Sequence, residues 1–275
     1  MNRYLYFENL NEFFDYSFAE SYSGIKLSRS EQKADWYGSA DWQEAKNLAL
    51  MGWPEFGNDI EQYKVEIIPL IADKVLRPLP TYAMAGFSVD VGLYLSNSPE
   101  CFFSKILEER NAPGRIFKIV CSLSLSSKIS PEIIKQRGAI ICAMIEAIEY
   151  AGHRVELVCN WAVSKKDEDW YRAGMYKDTG WMEIDIMVKS SSQHLEQNRA
   201  AFVLSHPSML RRLIFSCAEK IGWADFTGNY GYPGEASSKG DIYLREIFSR
   251  RISNEEAISW ILKELKQIGV DISQS

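Results

Sequence analysis

Aromatic and basic side chains alternate at several points of this chain, and that pairing is the chemistry most open to it. Lys165–Lys166 precede Trp170–Tyr171, and Trp223, Phe226, Tyr230 and Tyr232 gather in and before the glycine-rich run 228–234. Trp36, Tyr37 and Trp42 make another group, and Arg211–Arg212 and Arg250–Arg251 are basic pairs. Ring faces stack on unpaired bases while guanidinium groups meet phosphates, so the combination suits single-stranded nucleic acid. The candidate contacts are Arg211, Arg212, Arg250 and Arg251 for phosphates, and Trp170, Tyr171, Tyr230 and Tyr232 for bases. The competing reading is structural, since rings beside glycine often anchor a core and arginine pairs often line the wet side of a helix.

Catalytic patterns are absent. There is no Gly-x-Ser-x-Gly elbow, and only three histidines could serve as a base. His153 follows a helix-closing glycine, His206 precedes Pro207 where a helix should start, and His194 lies in a Ser/Gln-rich stretch. Helix-end chemistry accounts for the first two and solvation for the third. Ser122–Leu123–Ser124–Leu125–Ser126 presents hydroxyls at alternate positions after a strand. Ser122 stands where a carboxylate ligand would be needed, and a hard dication held by hydroxyls alone binds weakly. The run Gly228–Asn229–Tyr230–Gly231–Tyr232–Pro233–Gly234 lacks the Lys-Ser/Thr of a phosphate-binding loop and follows no clear strand. No catalytic residue, metal or cofactor is expected.

The elements that position these residues centre on residues 115–159. Ile116–Cys121 is a short apolar run. Ser130–Pro131–Glu132 opens a helix with a capping hydroxyl, proline at the first position and an acid in the first turn. Ile133, Ile134, Ile141, Met144, Ile145 and Ile148 keep helical spacing to Gly152, and Arg154–Cys159 returns as a strand. This βαβ unit implies neighbouring parallel strands and a right-handed crossover. Elsewhere the spacing predicts helices over 9–20, from Asp41 to Gly52, and over 58–76 with a kink or break at Pro69. It also predicts helices over 195–204, 207–221 and 254–268, and strands over 88–95 and 182–188. The expected architecture is α/β: a central mixed sheet around the βαβ unit, flanking helices, and an N-terminal helical lobe. The lobe would cover residues 1–80, as a unit of its own or as part of one domain, with the α/β domain at 81–275.

At 275 residues the chain can bury a sizeable core, and its composition is that of an ordinary globular protein. A net charge of −6 argues against indiscriminate coating of duplex DNA or acidic lipid. No apolar run approaches the roughly 18–20 residues needed to span a bilayer, and Met1–Asn2–Arg3–Tyr4 lacks a leader pattern. Five scattered cysteines, an odd number, fit reduced thiols in a cytoplasm.

Three segments carry a resemblance over most of the chain. They are Tyr37–Gly38–Ser39 with Glu44–Ala45, Leu48–Ala49 and Gly52–Trp53–Pro54–Glu55; Arg137–Gly138–Ala139 with Gly152–His153–Arg154–Val155–Glu156–Leu157; and Ser205–His206–Pro207–Ser208–Met209–Leu210–Arg211–Arg212. Together they resemble a family of uncharacterised proteins encoded by phages and prophages, which offers no catalytic residues to carry over. In size and aromatic content the chain is similar to the single-stranded-DNA-binding RNA polymerase cofactors of some podovirus-type phages. That resemblance implies host cytoplasm, single-stranded DNA as partner, and a phage RNA polymerase as a second one. The serine turn resembles the Asp-x-Ser-x-Ser metal motif of von Willebrand A-type domains, with serine in the place of the aspartate.

The leading expectation is therefore a non-enzymatic, phage-type single-stranded-DNA-binding protein serving transcription or replication. The alternative is a protein-interaction module resembling a von Willebrand A domain without its metal. The third is an enzyme whose site is assembled from dispersed residues.

Overall fold

A computed structural model describes residues 1–20, 24–109, 114–126, 129–166, 178–245 and 250–270. The chain opens with strand β1 (Asn2–Phe7) and helix α1 (Leu10–Phe18), which Asn9 caps by accepting the Glu12 N–H. Two single turns, α2 (Leu27–Ser30) and α3 (Ala34–Tyr37), precede α4 (Trp42–Met51), capped by Asp41, and the long α5 (Gly57–Val75). Next come β2 (Leu76–Ala83), β3 (Ser88–Val89), α6 (Val91–Leu95) and β4 (Phe102–Glu109). The centre is β5 (Ile116–Ser122), α7 (Pro131–Tyr150), β6 (Arg154–Lys166) and β7 (Asp178–Lys189). After it lie α8 (Gln197–Ser205), a π-type turn over Met209–Ile214, α9 (Phe215–Lys220) and α10 (Trp223–Thr227). Short strands β8 (Tyr232–Pro233) and β9 (Ile242–Leu244) lead to α11 (Asn254–Gln267), whose Ser253 and Glu256 form a capping box.

The main sheet has the order β1-β7-β6-β5-β9, with β8 pairing on β6. β5 and β6 run parallel in the register Ile116↔Arg154 to Ser122↔Asn160, as the βαβ reading requires. β7 is antiparallel to β6, while β1 and β9 lie parallel to β7 and β5. One side of the sheet packs into a large core. Phe117, Ile119 and Cys121 of β5, Leu157, Cys159 and Trp161 of β6, and Ile184 of β7 meet α7, α8 and the N-terminal helices there. Among the described residues the other side carries a small cluster of Val120, Val158 and Ala236, with Met187 and Tyr243 against it. The helices thus share one side, and the strap 234–243 crosses the other.

Several expectations are revised. β1 was not anticipated, and the edge of the main sheet is where the N-terminal segment goes. Phe13, Ala45 and Ile60 belong to the same core as Ile141 and Phe202, so the helices before residue 76 pack against the α/β body. A boundary at residue 80 would cut β2, which joins β4 and β3 in a separate antiparallel sheet. The strand expected over 88–95 stops at Val89. Asp90 accepts the Gly92 and Leu93 N–H groups and starts α6 instead. Pro69 lies inside α5 without dividing it. Its missing N–H falls opposite the carbonyl of Val65, a solvent-facing position, so water can take that acceptor.

His206 joins α8 to the π-type turn as the sequence suggests. Its Nδ1 accepts the Ser208 N–H at 3.2 Å, and its ring lies edge-on to Trp53 and stacked on Phe202. Burial, aided by Lys135, lowers its pKa to about 4. The unfolded chain, with a pKa near 6.5, therefore binds more protons between these values, so stability falls as pH drops from about 6.5 to 4. His206→Gln should flatten that part of a stability–pH curve measured by urea unfolding. An unchanged curve would show that His206 does not titrate this way.

Candidate functional site

In an α/β sheet, ligands bind beyond the carboxyl end of a strand where neighbouring connections diverge. β5 is such a strand, because its chain leaves through α7 to β6 on one side while β9 arrives on the other. β5 ends opposite Asn160, yet β6 continues six residues further to Lys166. The edge of β6 exposed by this step is taken up in two ways. Ser124 Oγ accepts the Ala162 N–H at 2.8 Å and donates to the Ala162 carbonyl at 2.7 Å. Further along, β8 pairs Val163↔Pro233 and Ser164↔Tyr232. Ser122 Oγ accepts the Ser124 N–H, so these two hydroxyls of the turn serve the backbone. A metal site here would have to break those bonds without a carboxylate to replace them. Elemental analysis or anomalous scattering on the purified protein should find no stoichiometric divalent ion at Ser124 and Ser126; an ordered cation there would contradict this.

Between the serine turn, β6 and β8 lies a cavity of about 530 Å³. Five rings line it: Trp36 from α3, Trp161 from β6, Phe215 from α9, and Tyr230 and Tyr232 around β8. Leu125 and Leu210 add apolar wall, Arg211 supplies a cation, and Asn229 and Pro233 stand exposed at the rim. Tyr230 stacks on Phe215 with ring centroids 3.6 Å apart and donates its hydroxyl to Glu219 at 2.7 Å. Burial and that carboxylate push the Tyr230 hydroxyl pKa up, so it remains a donor. Tyr232 is 37% exposed, and the Lys166 ammonium lies 5.2 Å from its ring centre.

Consecutive arginines part company at the π-type turn, where Phe215 N–H reaches back to Leu210 as well as Arg212. Arg211 is buried against the cavity, donating to the carbonyls of Trp36 and Ile129 at 2.5 and 2.8 Å. Its guanidinium carbon sits 4.6 Å from the centre of the Trp36 ring. Arg212 points the other way, fully buried, to Ser39 Oγ and the carbonyls of Ser28, Glu31, Ser39 and Ala40. Neither is a surface arginine: Arg212 lies in the core, and Arg211, named for phosphates like its neighbour, borders the cavity. Backbone carbonyls claim both guanidinium groups.

Arg250 and Arg251 lie elsewhere. Arg250 is exposed and bonded to Glu256 at 2.8 Å, beside the cap of α11. Arg251 lines a separate cavity of about 220 Å³ with Glu132 and Gln136. Trp170 and Tyr171 fall outside the described residues. The structure therefore gathers Arg211, Tyr230 and Tyr232 and places Arg212, Arg250 and Arg251 away from them. Trp161, Phe215 and Leu125 were missed as site residues. The serine turn directly after a central strand was the available pointer to them.

Acidic chemistry lies on the opposite side of the sheet. Asn160 donates its amide to Glu183 and Asp185, at 2.7 and 2.5 Å. Tyr4 donates to Asp185, and Ser237 donates both N–H and hydroxyl to Glu183. Burial raises the Asp185 pKa. The two Ser237 bonds fasten the 234–243 strap to the sheet. Among the described residues no three of His, Cys, Asp or Glu come together as metal ligands, and no helix is long and apolar enough to cross a membrane. No curated protein and no solved structure matches the chain. Residues 2–272 match a domain of unknown function, DUF7192, and the chain belongs to that family.

Proposed function

We propose that the chain is a non-enzymatic protein-interaction module that holds its partner in the crevice beyond β5, resembling a von Willebrand A domain without its metal. The observation that carries this reading is the pair of Ser124–Ala162 hydrogen bonds beside a ring-lined cavity. The Ser122 and Ser124 hydroxyls of the serine turn hold the backbone, and an apolar pocket opens next to them. Such a pocket with few polar groups is built to receive a projecting side chain. With Arg212 in the core and Arg250 on Glu256, those two arginines do not extend the positive charge of the crevice into a phosphate track.

A second reading, single-stranded DNA binding in aid of phage transcription or replication, is favoured by one observation. Arg211, Tyr230 and Tyr232, singled out for phosphates and bases, line the same cavity. Mobility-shift titration with single- and double-stranded oligonucleotides separates the two readings. The module reading expects neither to shift at physiological salt. The second expects a single-strand preference that weakens with salt, and a loss of roughly 1–3 kcal/mol on Tyr232→Ala. A single-strand complex that Tyr232→Ala weakens would displace the module reading.

A further inference from the structure

Arg211 and Arg212 are neighbours in sequence and both buried, yet only Arg212 feels the field of nearby carboxylates. Asp41, Glu44 and Glu31 lie near enough to Arg212 to favour its charge, without an ion pair to any of them among the described residues. Arg211 has no carboxylate partner among the described residues. Two backbone carbonyls take two of its five N–H donors and neutralise none of its charge. Desolvation alone draws its pKa down to about 10, as expected of a cation without a counter-ion. Burying an unpaired charge is costly, and this one forms part of the wall of a cavity with an exposed rim.

On the reading that the crevice is the binding site, we propose that it takes a flat aromatic ring carrying one carboxylate, the ring among Trp36, Trp161, Phe215 and Tyr232 and the carboxylate toward Arg211. A protein partner would supply this as an aromatic residue beside an acidic or terminal carboxylate. A ligand ammonium would meet Arg211 in the wall and the Lys166 ammonium 5.2 Å from the centre of the Tyr232 ring. A neutral ring would leave Arg211 as it is. A nucleotide within a strand would bring further phosphates against a protein of net charge −6.

Small probes test this on the full chain, followed by tryptophan fluorescence and amide chemical shifts. Indole-3-acetate should bind about tenfold or more tighter than indole-3-acetamide, because a charge-assisted hydrogen bond to a buried guanidinium is lost in the amide. Tryptamine should not compete, and thymidine 5′-monophosphate should bind more weakly than the acetate. Arg211→Gln should erase the preference for the acetate. Should that variant misfold, Ser126→Trp fills the cavity from the serine turn and should abolish acetate binding with the fold retained by circular dichroism.

Equal affinity for acetate and acetamide, tighter binding of the nucleotide, or acetate binding undiminished in a folded Ser126→Trp variant would overturn the assignment. The two layers fail separately. Partner capture lost in Ser126→Trp without any acetate preference sinks the ligand class alone. An acetate preference that Ser126→Trp removes while partner capture persists upholds the ligand class and sinks the crevice as the partner's site.

Discussion

Arg212→Ala should lower stability by roughly 3–5 kcal/mol, enough to leave a domain of this size partly unfolded at 37 °C. The side chain is fully buried and serves as a hub for the loop carbonyls around it. Nη1 donates to Ser28 and Glu31 at 2.8 and 3.1 Å, Nη2 to Ser39 at 3.0 Å, and Nε to Ser39 Oγ at 2.9 Å. The guanidinium also lies 4.2 Å over the Tyr37 ring. Truncation strands several buried carbonyls at about 1–3 kcal/mol each before relaxation. Arg212→Lys should recover only part of the loss, because an ammonium cannot reproduce the planar fork. Arg250→Ala, at an exposed pair with Glu256, should leave the denaturant midpoint unchanged. Urea unfolding of the three variants checks the contrast. Equal midpoints for the two alanine variants would mean that Arg212 is not the hub described.

Gly138→Ala should destabilise by about 2 kcal/mol although alanine favours helices. A Cβ built on Gly138 in α7 would lie 1.9 Å from Ser205 Oγ, 2.6 Å from its Cβ and 2.7 Å from its Cα. The hydroxyl could rotate away, but the Cα belongs to α8 and can move only with that helix. Overpacking of this severity costs about 3 kcal/mol, and the alanine propensity returns about 1. Adding Ser205→Gly to Gly138→Ala should restore part of the loss, a coupling readable as a double-mutant cycle. Independent, additive effects would show that the helices do not cross there.

The βαβ unit was legible because each of its joints is local: Ser130–Pro131 starts α7, Gly152 ends it, and both strands are short apolar runs. The Asp41 cap was legible for the same reason. β1 and β9 were not, since each pairs in parallel with a strand far away in sequence and has no hairpin turn to announce it. The strand expected at 88–95 failed on one side chain, Asp90, whose capping bonds outweigh a weak alternation. The arginine pairs show the limit most clearly. Nothing in the residue types tells a solvated pair from one divided between a cavity and a set of loop carbonyls, because that choice is made by the π-type turn and by loops some 170–185 residues away. Of the site, Arg211, Tyr230 and Tyr232 were nominated from composition. Their convergence with Trp36, Trp161 and Phe215 is a property of the fold.

Site-specific photo-crosslinking tests the central claim most directly. A benzophenone side chain introduced at position 232, on the rim of the crevice, is compared in the same cells with one at exposed Tyr94 of α6 and one at Arg250. A binding crevice beyond β5 predicts a discrete protein adduct from position 232 that Ser126→Trp removes, with none from positions 94 and 250. Adducts from position 94 or 250 alone, or an adduct at 232 that survives Ser126→Trp, would contradict it.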